Sequence, residues 1–312
     1  MTCYITVDGG TTNTRVSLIK GGECVGTKKY PIGARAGIDG TDAQKGVIRE
    51  AITELLSAAA LDECDVTCIL ASGMITSEHG LINLPHIQTP AGVNELHTAM
   101  HECVLEDISK IPFVFIRGVK SVSSELSEYD VMRGEETELI GLAPKAECVY
   151  ILPGSHSKII YTDESARIKS FYTMLSGEMI AALSSGTILK DAVDLTVTET
   201  DKDFLMRGYN YAIKEGLGEA LFKVRILKNF FSATPVELYS FFVGAVLSGE
   251  IKKILSLNPK SIIIGGKAQL KNALCIMLSS LSSTEIITVS SEDADASVWR
   301  GAIKVYEHSA EQ

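Results

Sequence analysis

A chain of 312 residues is longer than one hydrophobic core usually serves, so two domains are expected. Hydrophobic residues make up 46% and charged ones 22%, ordinary values for a globular protein, and no apolar run reaches the roughly 18 residues of a membrane span. With 39 acidic against 29 basic residues the net charge is −10, which argues against a nucleic-acid partner but leaves phosphate ligands open, since backbone amides neutralise them locally.

The first four residues, Met1-Thr2-Cys3-Tyr4, carry no basic stretch followed by an apolar core, so no signal peptide is expected. Seven scattered cysteines, with Cys64 and Cys68 as the one close pair, read as reduced thiols of a cytoplasmic protein.

Residues 4–7 form a buried-strand pattern that ends at Gly9-Gly10. Residues 15–20 alternate polar and apolar, Gly21-Gly22 turns the chain, and 23–30 return as a third strand. Thr41 with Gln44 three residues on reads as a capping box opening a helix with Val47, Ile48, Ala51, Ile52, Leu55 and Leu56 on one face. A strand at 66–71, a helix over 93–105, a strand at 113–116 and a helix over 135–142 follow.

A similar order restarts near Cys148, with strands at 149–152, 158–161 and 167–172. Helical stretches over 204–231 and 236–255 come next, then a strand at 261–264, a helix over 269–281, a strand at 286–289 and a closing helix over 295–308. This repeat predicts two α/β lobes with a ligand cleft between them, 1–144 and 145–312, the closing helix being a candidate to pack back on the first lobe.

Four motifs carry chemistry. In DGGTTNTR, Gly9 and Gly10 let backbone amides approach an anion, and Thr11, Thr12, Asn13 and Arg15 supply hydrogen bonds. Asp8, at the strand end, suits a hydrated Mg²⁺. In LPGSHSK, Gly154 and Ser155 repeat that character, His156 suits donation to a ligand or bracing of the loop, and Lys158 adds a point charge for phosphate. The run IIIGGK sends a buried strand into Gly265-Gly266, where backbone can lie close to adenine and ribose; a tight strand-to-helix connection is the other reading. In MRGEETE, Glu135 or Glu136 suits the carboxylate that takes a hydroxyl proton, and Arg133 can meet a carboxylate or phosphate.

Other signals carry nothing. Residues 21–28 miss a Walker A loop because Thr27 stands at the lysine position. His97 and His101 are read as a helical pair of surface or packing residues, with Thr98 where a zinc protease needs Glu. Phe230, Phe231, Phe241 and Phe242 are read as core, and the apolar stretch 230–247 suits either that core or the interface of a homo-oligomer.

Taken in order, VDGGTTNTR, ASGMITSEHG, DVMRGEETELIGL, LPGSHSK and TMLSGEM resemble the 2-dehydro-3-deoxygalactonokinase family over nearly the whole chain. That resemblance implies the two-lobed actin/hexokinase-like (ribonuclease H-like) ATPase fold and Mg-ATP-dependent phosphorylation of the 6-hydroxyl of 2-dehydro-3-deoxy-D-galactonate. It places the catalytic carboxylate at Glu135 or, less well, Glu136. Gly9 stands where the family usually has Trp, and TSEHGL at 76–81 replaces its usual G-S-R-Q-G-W. The missing arginine leaves Arg117, Arg133 or His79 to meet the sugar acid, or else the substrate differs. The alternatives are a kinase of this fold for another sugar or sugar acid, and an ATP-binding sensor that transfers no phosphate.

Overall fold

Residues 2–34, 38–266 and 268–309 are described by the structure, a computed structural model, and they divide into two compact units. The first comprises Met1–Ala146, Asp163–Ser170 and Glu292–Gln312; the second comprises Glu147–Thr162 and Phe171–Ser291.

The first unit opens with β1 (Cys3–Gly9), β2 (Thr14–Lys20) and β3 (Glu23–Tyr30), an antiparallel meander. Then come α1 (Ile38–Ala59), β4 (Cys68–Gly73), β5 (Ile87–Gln88), α2 (Val93–Thr98), β6 (His101–Cys103) and β7 (Phe113–Phe115). β8 (Val119–Ser121), β9 (Asp130–Met132) and α3 (Glu135–Gly141) complete this stretch. The main sheet runs β3-β2-β1-β4-β7-β6, with β1, β4 and β7 parallel, and β5-β8-β9 form a small separate sheet. β1 is buried on both faces, which is why it reads as a continuous apolar run (Ile5, Val7 and neighbours) and not as an alternation.

The second unit contains β10 (Cys148–Leu152), β11 (Ser157–Thr162), most of β12 (Ile168–Met174) and α4 (Ser176–Gly186). Helices α5 (Lys202–Glu215), α6 (Leu217–Phe231), α7 (Pro235–Val246) and α8 (Ser248–Ser256) follow, then β13 (Ser261–Ile264), α9 (Ala268–Leu281) and β14 (Glu285–Thr288). Its sheet runs β12-β11-β10-β13-β14, antiparallel between β10 and β11 and parallel from β10 onward. The closing helix α10 (Ser291–Tyr306) belongs to the first unit from Glu292 on. The repeat of element order in the sequence is thus a repeat of sheet topology.

Several expectations are corrected. Helix α1 starts at Ile38, so Thr41 lies inside it and is no cap; Gln44 is 1% exposed and its Nε2 donates to Thr14 Oγ1 at 3.1 Å. The helix expected over 93–105 ends at Thr98, and His101 opens β6, which pairs with β7; the two histidines therefore share no helical face. His97 instead bonds the Val305 carbonyl through Nδ1 at 2.8 Å. The stretch 204–231 is broken at Gly216, whose φ of 92° no L-residue adopts cheaply, and α4 was not foreseen. Phe241 and Phe242 are core, but Phe230 and Phe231 are 76% and 70% exposed, because the last turn of α6 extends beyond the elements it packs on.

Two glycines let α5 and α7 cross at backbone contact. A Cβ on Gly208 would sit 2.0 Å from the Phe241 carbonyl oxygen, and one on Gly244 would sit 2.0 Å from that of Leu205. Both oxygens are fixed in helices, so an added methyl must push the helices apart. Gly244→Ala is expected to cost about 1–3 kcal/mol, the range for overpacking a well-filled core. Urea unfolding checks this; an unchanged midpoint would show that the crossing is looser than described.

Candidate active site

The first glycine turn joins β1 to β2. Gly10 N–H donates to the Asn13 carbonyl at 2.8 Å, closing the turn, and Asn13 Nδ2 donates to Thr12 Oγ1 at 2.8 Å. Residues 32–34 press on it from behind: Ala34 N–H donates to the Gly10 carbonyl, and a Cβ on Gly33 would lie 2.5 Å from that same oxygen. Buried Thr14 anchors the base of the turn by donating to the Ile32 carbonyl at 2.7 Å while Gln44 donates to it. Gly9 needs its missing side chain here, since a Cβ would stand 2.7 Å from Ile75 Cβ. That niche is filled by isoleucine, which accounts for the absence of the tryptophan expected from the family pattern.

Three glycine-bearing chain ends converge at this point. Gly9 ends β1 and Gly73 ends β4 as its parallel partner, and a Cβ on Gly73 would meet the Gly9 carbonyl at 2.5 Å. Gly134, with φ of 108°, lies against Gly73 and starts α3. The close approach brings Asp8 into the same electrostatic neighbourhood as Glu135, Glu136 and Glu138.

The four carboxyls differ in surroundings. Glu136 is fully buried; its carboxylate turns back to accept the Gly134 N–H at 2.9 and 2.8 Å and the Thr137 hydroxyl at 3.2 Å. Burial, and then the charge of Glu135, push it up to about 8. Glu138 keeps some surface open but is densely surrounded; burial, then Glu135 and Asp8, push it up to about 8. Burial also raises Asp8, with Glu135 adding to the effect, while Arg15 and Lys29 partly offset it. Glu135 is half-buried and accepts the Arg133 backbone N–H at 3.1 Å. Of the two acids named as alternatives for proton transfer, Glu135 is therefore the one with surface to offer.

Arg15 stands opposite Asp8 in the β1–β2 register and reaches Asp295 of α10, 3.9 Å to Oδ1 and 3.5 Å to the carbonyl. It thus faces the acid cluster and α10. The guanidinium of Arg133 is spent on one loop: Nη1 donates to the Thr76 carbonyl and hydroxyl at 2.8 and 2.9 Å, and Nη2 to the Leu84 carbonyl at 2.9 Å. It braces the loop carrying exposed His79, whose Nε2 lies 3.4 Å from Glu78.

Beside this loop the sequence gave no sign of His86. It abuts Gly118, where a Cβ would meet Arg133 Cγ at 2.6 Å and His86 Cδ2 at 2.9 Å. His86 Nε2 and Arg117 Nε are buried without a hydrogen-bond partner, two of the three such side-chain atoms among the described residues. Burial, then the charges of Arg133 and Lys120, push His86 down to about 4, so it is neutral at pH 7. Unpaired buried polar atoms are costly and uncommon, so each of these marks a place where a polar ligand would be satisfied.

The second unit brings two of its motifs together. Gly266, with φ of 71°, lies where a Cβ would meet Pro153 Cδ at 2.8 Å, so the Gly265-Gly266 turn abuts the Pro153-Gly154-Ser155 turn. Gly265 N–H donates to the Ile151 carbonyl at 2.9 Å; Lys267 of this motif lies outside the described residues. Gly154 and Ser155 are exposed, and His156 Nε2 lies 3.4 Å from Glu178 of α4, bracing the loop. Lys158 is only 5% exposed and pairs with Leu152 in the β10–β11 ladder.

No three His, Cys, Asp or Glu side chains among the described residues converge as a direct metal cage. Mg²⁺ rarely uses one: it keeps several waters and needs one or two carboxylates plus substrate phosphates. Asp8, raised by burial and then by the charge of Glu135, with Glu138 feeling its charge in turn, fits such a hydrated cation.

With this geometry in hand, comparison with known proteins is direct. The family model described as 2-keto-3-deoxy-galactonokinase matches residues 8–305. A 2-dehydro-3-deoxygalactonokinase of Escherichia coli (strain K12) is 27% identical over 252 residues, 79% of this chain and 78% of its own. A crystal structure of a 2-dehydro-3-deoxygalactonokinase candidate from Sinorhizobium meliloti superposes with a TM-score of 0.78 at 22% identity, covering 99% of this chain and 98% of that one. A xylulose kinase from Lactobacillus acidophilus gives 0.52 at 13% identity, over 98% and 89%. The α/β architecture is therefore that of the two-lobed sugar kinases, and the chain is a kinase, a phosphotransferase with an alcohol acceptor. It belongs to the 2-keto-3-deoxy-galactonokinase family, whose members' names make it a sugar-acid kinase.

The lowered pKa of His86 makes a pH prediction. The unfolded chain protonates this histidine near 6.5 while the folded chain resists protonation until about 4, so the contribution of His86 to folding stability is complete above 6.5 and is lost as pH drops towards 4. His86→Gln should flatten the urea midpoint over that interval relative to the parent chain. Parallel curves for the two proteins would mean that His86 titrates as an ordinary exposed histidine.

Proposed function

We propose that the chain transfers the γ-phosphoryl group of ATP to the 6-hydroxyl of 2-dehydro-3-deoxy-D-galactonate. The observation that carries this reading is the acid corner built by Asp8 and the start of α3, in a chain of this kinase family. Phosphoryl transfer to an alcohol asks a protein mainly for positioning and charge compensation, plus a carboxylate for the hydroxyl proton. Glu135 is the partly open acid of the corner and takes that proton. Glu136, turned inward on the Gly134 N–H, fixes the first turn of α3 and hence the aim of Glu135.

Asp8 would hold Mg²⁺ through water, with Glu138 adding negative potential. Bound there, the ion would neutralise phosphate charge. Gly10 to Asn13 form the phosphate turn of the first unit, and Gly154 with Ser155 are the exposed counterpart in the second; Gly265-Gly266 offers close backbone to an adenosine. Arg15 acts on this site through Asp8 and not as a phosphate ligand. On the acceptor side, Arg117 and neutral His86 supply unpaired polar atoms for a sugar acid, and Arg133 holds the His79 loop in shape.

A second reading, a kinase of another sugar acid, is favoured by one observation only: the arginine expected in the 76–81 loop is replaced. Purified protein offered 2-dehydro-3-deoxy-D-galactonate, its gluconate epimer, other aldonates and neutral hexoses, with ADP release coupled to a chromogenic readout, separates the two. Turnover is expected chiefly with the first compound; equal or better turnover of another acid selects the second reading, and turnover of neutral hexoses alone overturns both. In the same assay Glu135→Gln should lower kcat by about 10²–10⁴-fold, the usual contribution of a positioned acid–base group, with ATP affinity by calorimetry kept. Full activity in that variant would remove Glu135 from the chemistry.

A further inference from the structure

Glu250, in the first turn of α8, is a carboxylate with 2% exposure among Leu247, Ile251 and Ile254, and neither the family pattern nor the acid corner accounts for it. Its two oxygens serve two different segments. Ser157 Oγ donates to Oε1 at 2.6 Å, and Ser176 Oγ donates to Oε2 at 2.5 Å. Ser157 directly follows the Pro153–His156 turn and opens β11, and Ser176 opens α4. Both serines are buried, at 1% and 4% exposure.

The same two segments meet a second time, above the carboxylate. A Cβ on Gly177 would lie 2.2 Å from the Gly154 carbonyl oxygen, Glu178 N–H donates to the Ser155 carbonyl at 3.1 Å, and Glu178 reaches His156. Gly266 closes in on Pro153 from the other side. The turn thus has exposed residues at its tip and a carboxyl anchor at its root, whose titration burial pushes up while the two serine hydroxyls pull it back. A hydrophobic side chain would fill the site of Glu250 at lower desolvation cost, so its contribution is to geometry and not to stability. A carboxylate that accepts one hydroxyl on each oxygen fixes the distance between the two donors, which an apolar residue cannot do.

We propose that Glu250 is a positioning residue that ties the Pro153–Ser157 turn to the start of α4 and thereby sets the geometry in which the turn meets nucleotide phosphate. The second clause rests on the reading of this turn as a phosphate site. Glu250→Gln keeps the volume but turns one oxygen into a donor, so one serine loses its acceptor. Amide hydrogen exchange should then quicken at 154–157 and 176–179 and nowhere else in the second unit, with the melting temperature close to the parent's. KM for ATP should rise about tenfold, the usual effect of one charge-assisted hydrogen bond, while KM for the acceptor stays within about twofold.

Ser176→Ala removes the same link without altering the buried charge's volume, and should reproduce both effects, with Ser176→Thr restoring them. It decides the matter if Glu250→Gln does not fold. Unchanged exchange at both segments in a folded variant overturns the anchor. Faster exchange with unchanged KM for ATP, or an equal rise in both KM values, overturns the positioning role. A parent chain that binds no ATP removes the phosphate reading, and the exchange data still decide whether Glu250 joins the two segments.

Discussion

Like charges held close in low dielectric are the main constraint on the first unit. Burial, and after it the charge of Glu135, raises Asp8, Glu136 and Glu138, the last two to about 8, so the ionised cluster would gain by moving apart. They stay together because their backbones are fixed by something stronger: β1 is paired on both sides, and α3 begins at a glycine wedged against the end of β4. Part of the repulsion is relieved locally. Gly134 N–H bonds both oxygens of Glu136, and α3 presents the positive end of its backbone dipole to three of the four acids. Arg15 and Lys29, neighbours across the β2–β3 ladder, offset part of the burden on Asp8. Such a corner is poor for stability and well suited to a cation that arrives with a phosphate.

Glycine makes the crowding geometrically feasible. At Gly9 and Gly73 in the first unit, and at Gly177 and Gly266 in the second, backbone passes where any Cβ would collide with main chain or a branched side chain, and Gly134 is set by its φ of 108°. The two units therefore solve one problem in one way: a buried strand stops at glycine, another strand or helix end closes on it, and polar groups are left at the tip. The difference lies beneath the tip. The first turn rests on the hydroxyl and amide of Thr14 and Gln44, whereas the second rests on a carboxylate, Glu250. The second root differs in that one side chain holds two separate segments, Ser157 on one oxygen and Ser176 on the other.

What the sequence made legible follows from this economy of means. Strands buried on both faces and stopped by glycine pairs leave a strong trace, and β1, β2, β3, β10 and β13 lie within a residue or two of their expected bounds. Glycine turns announced themselves for the same reason, as did the acids that open α3. What stayed hidden depends on distant packing. Gln44 looked like a local cap because spacing cannot show that Thr14, thirty positions away, needs a donor. The apolar run 93–105 fits a helix by period, yet edge pairing with β7 claims its second half. Phe230 and Phe231 look like core by composition, and only the end of α6 shows that they stand outside it. Arg133 looked like a ligand because a free guanidinium and one already holding three acceptors are identical in sequence. Glu250 and His86 carry no motif at all.

Net charge says little about such sites. The chain is −10 overall and its best-defined cluster is acidic, yet the stretch from Arg117 to Arg133 that leads into α3 is balanced, with Arg117, Lys120 and Arg133 against Glu125, Glu128 and Asp130. Arg117 precedes β8, Lys120 lies within it, and Arg133 follows β9 just before α3 opens at Glu135. Two of these cations act on His86, whose imidazole is held neutral by burial and then by Arg133 and Lys120. An anion seated beside them would reverse that balance, because a negative charge favours imidazolium where positive charges disfavour it. After Gly134 the charges are of one sign, with Glu135, Glu136 and Glu138 opening α3. On the proposed reading, a sugar acid would meet attraction at one end and a proton acceptor at the other, a polarity that a neutral sugar has less means to use.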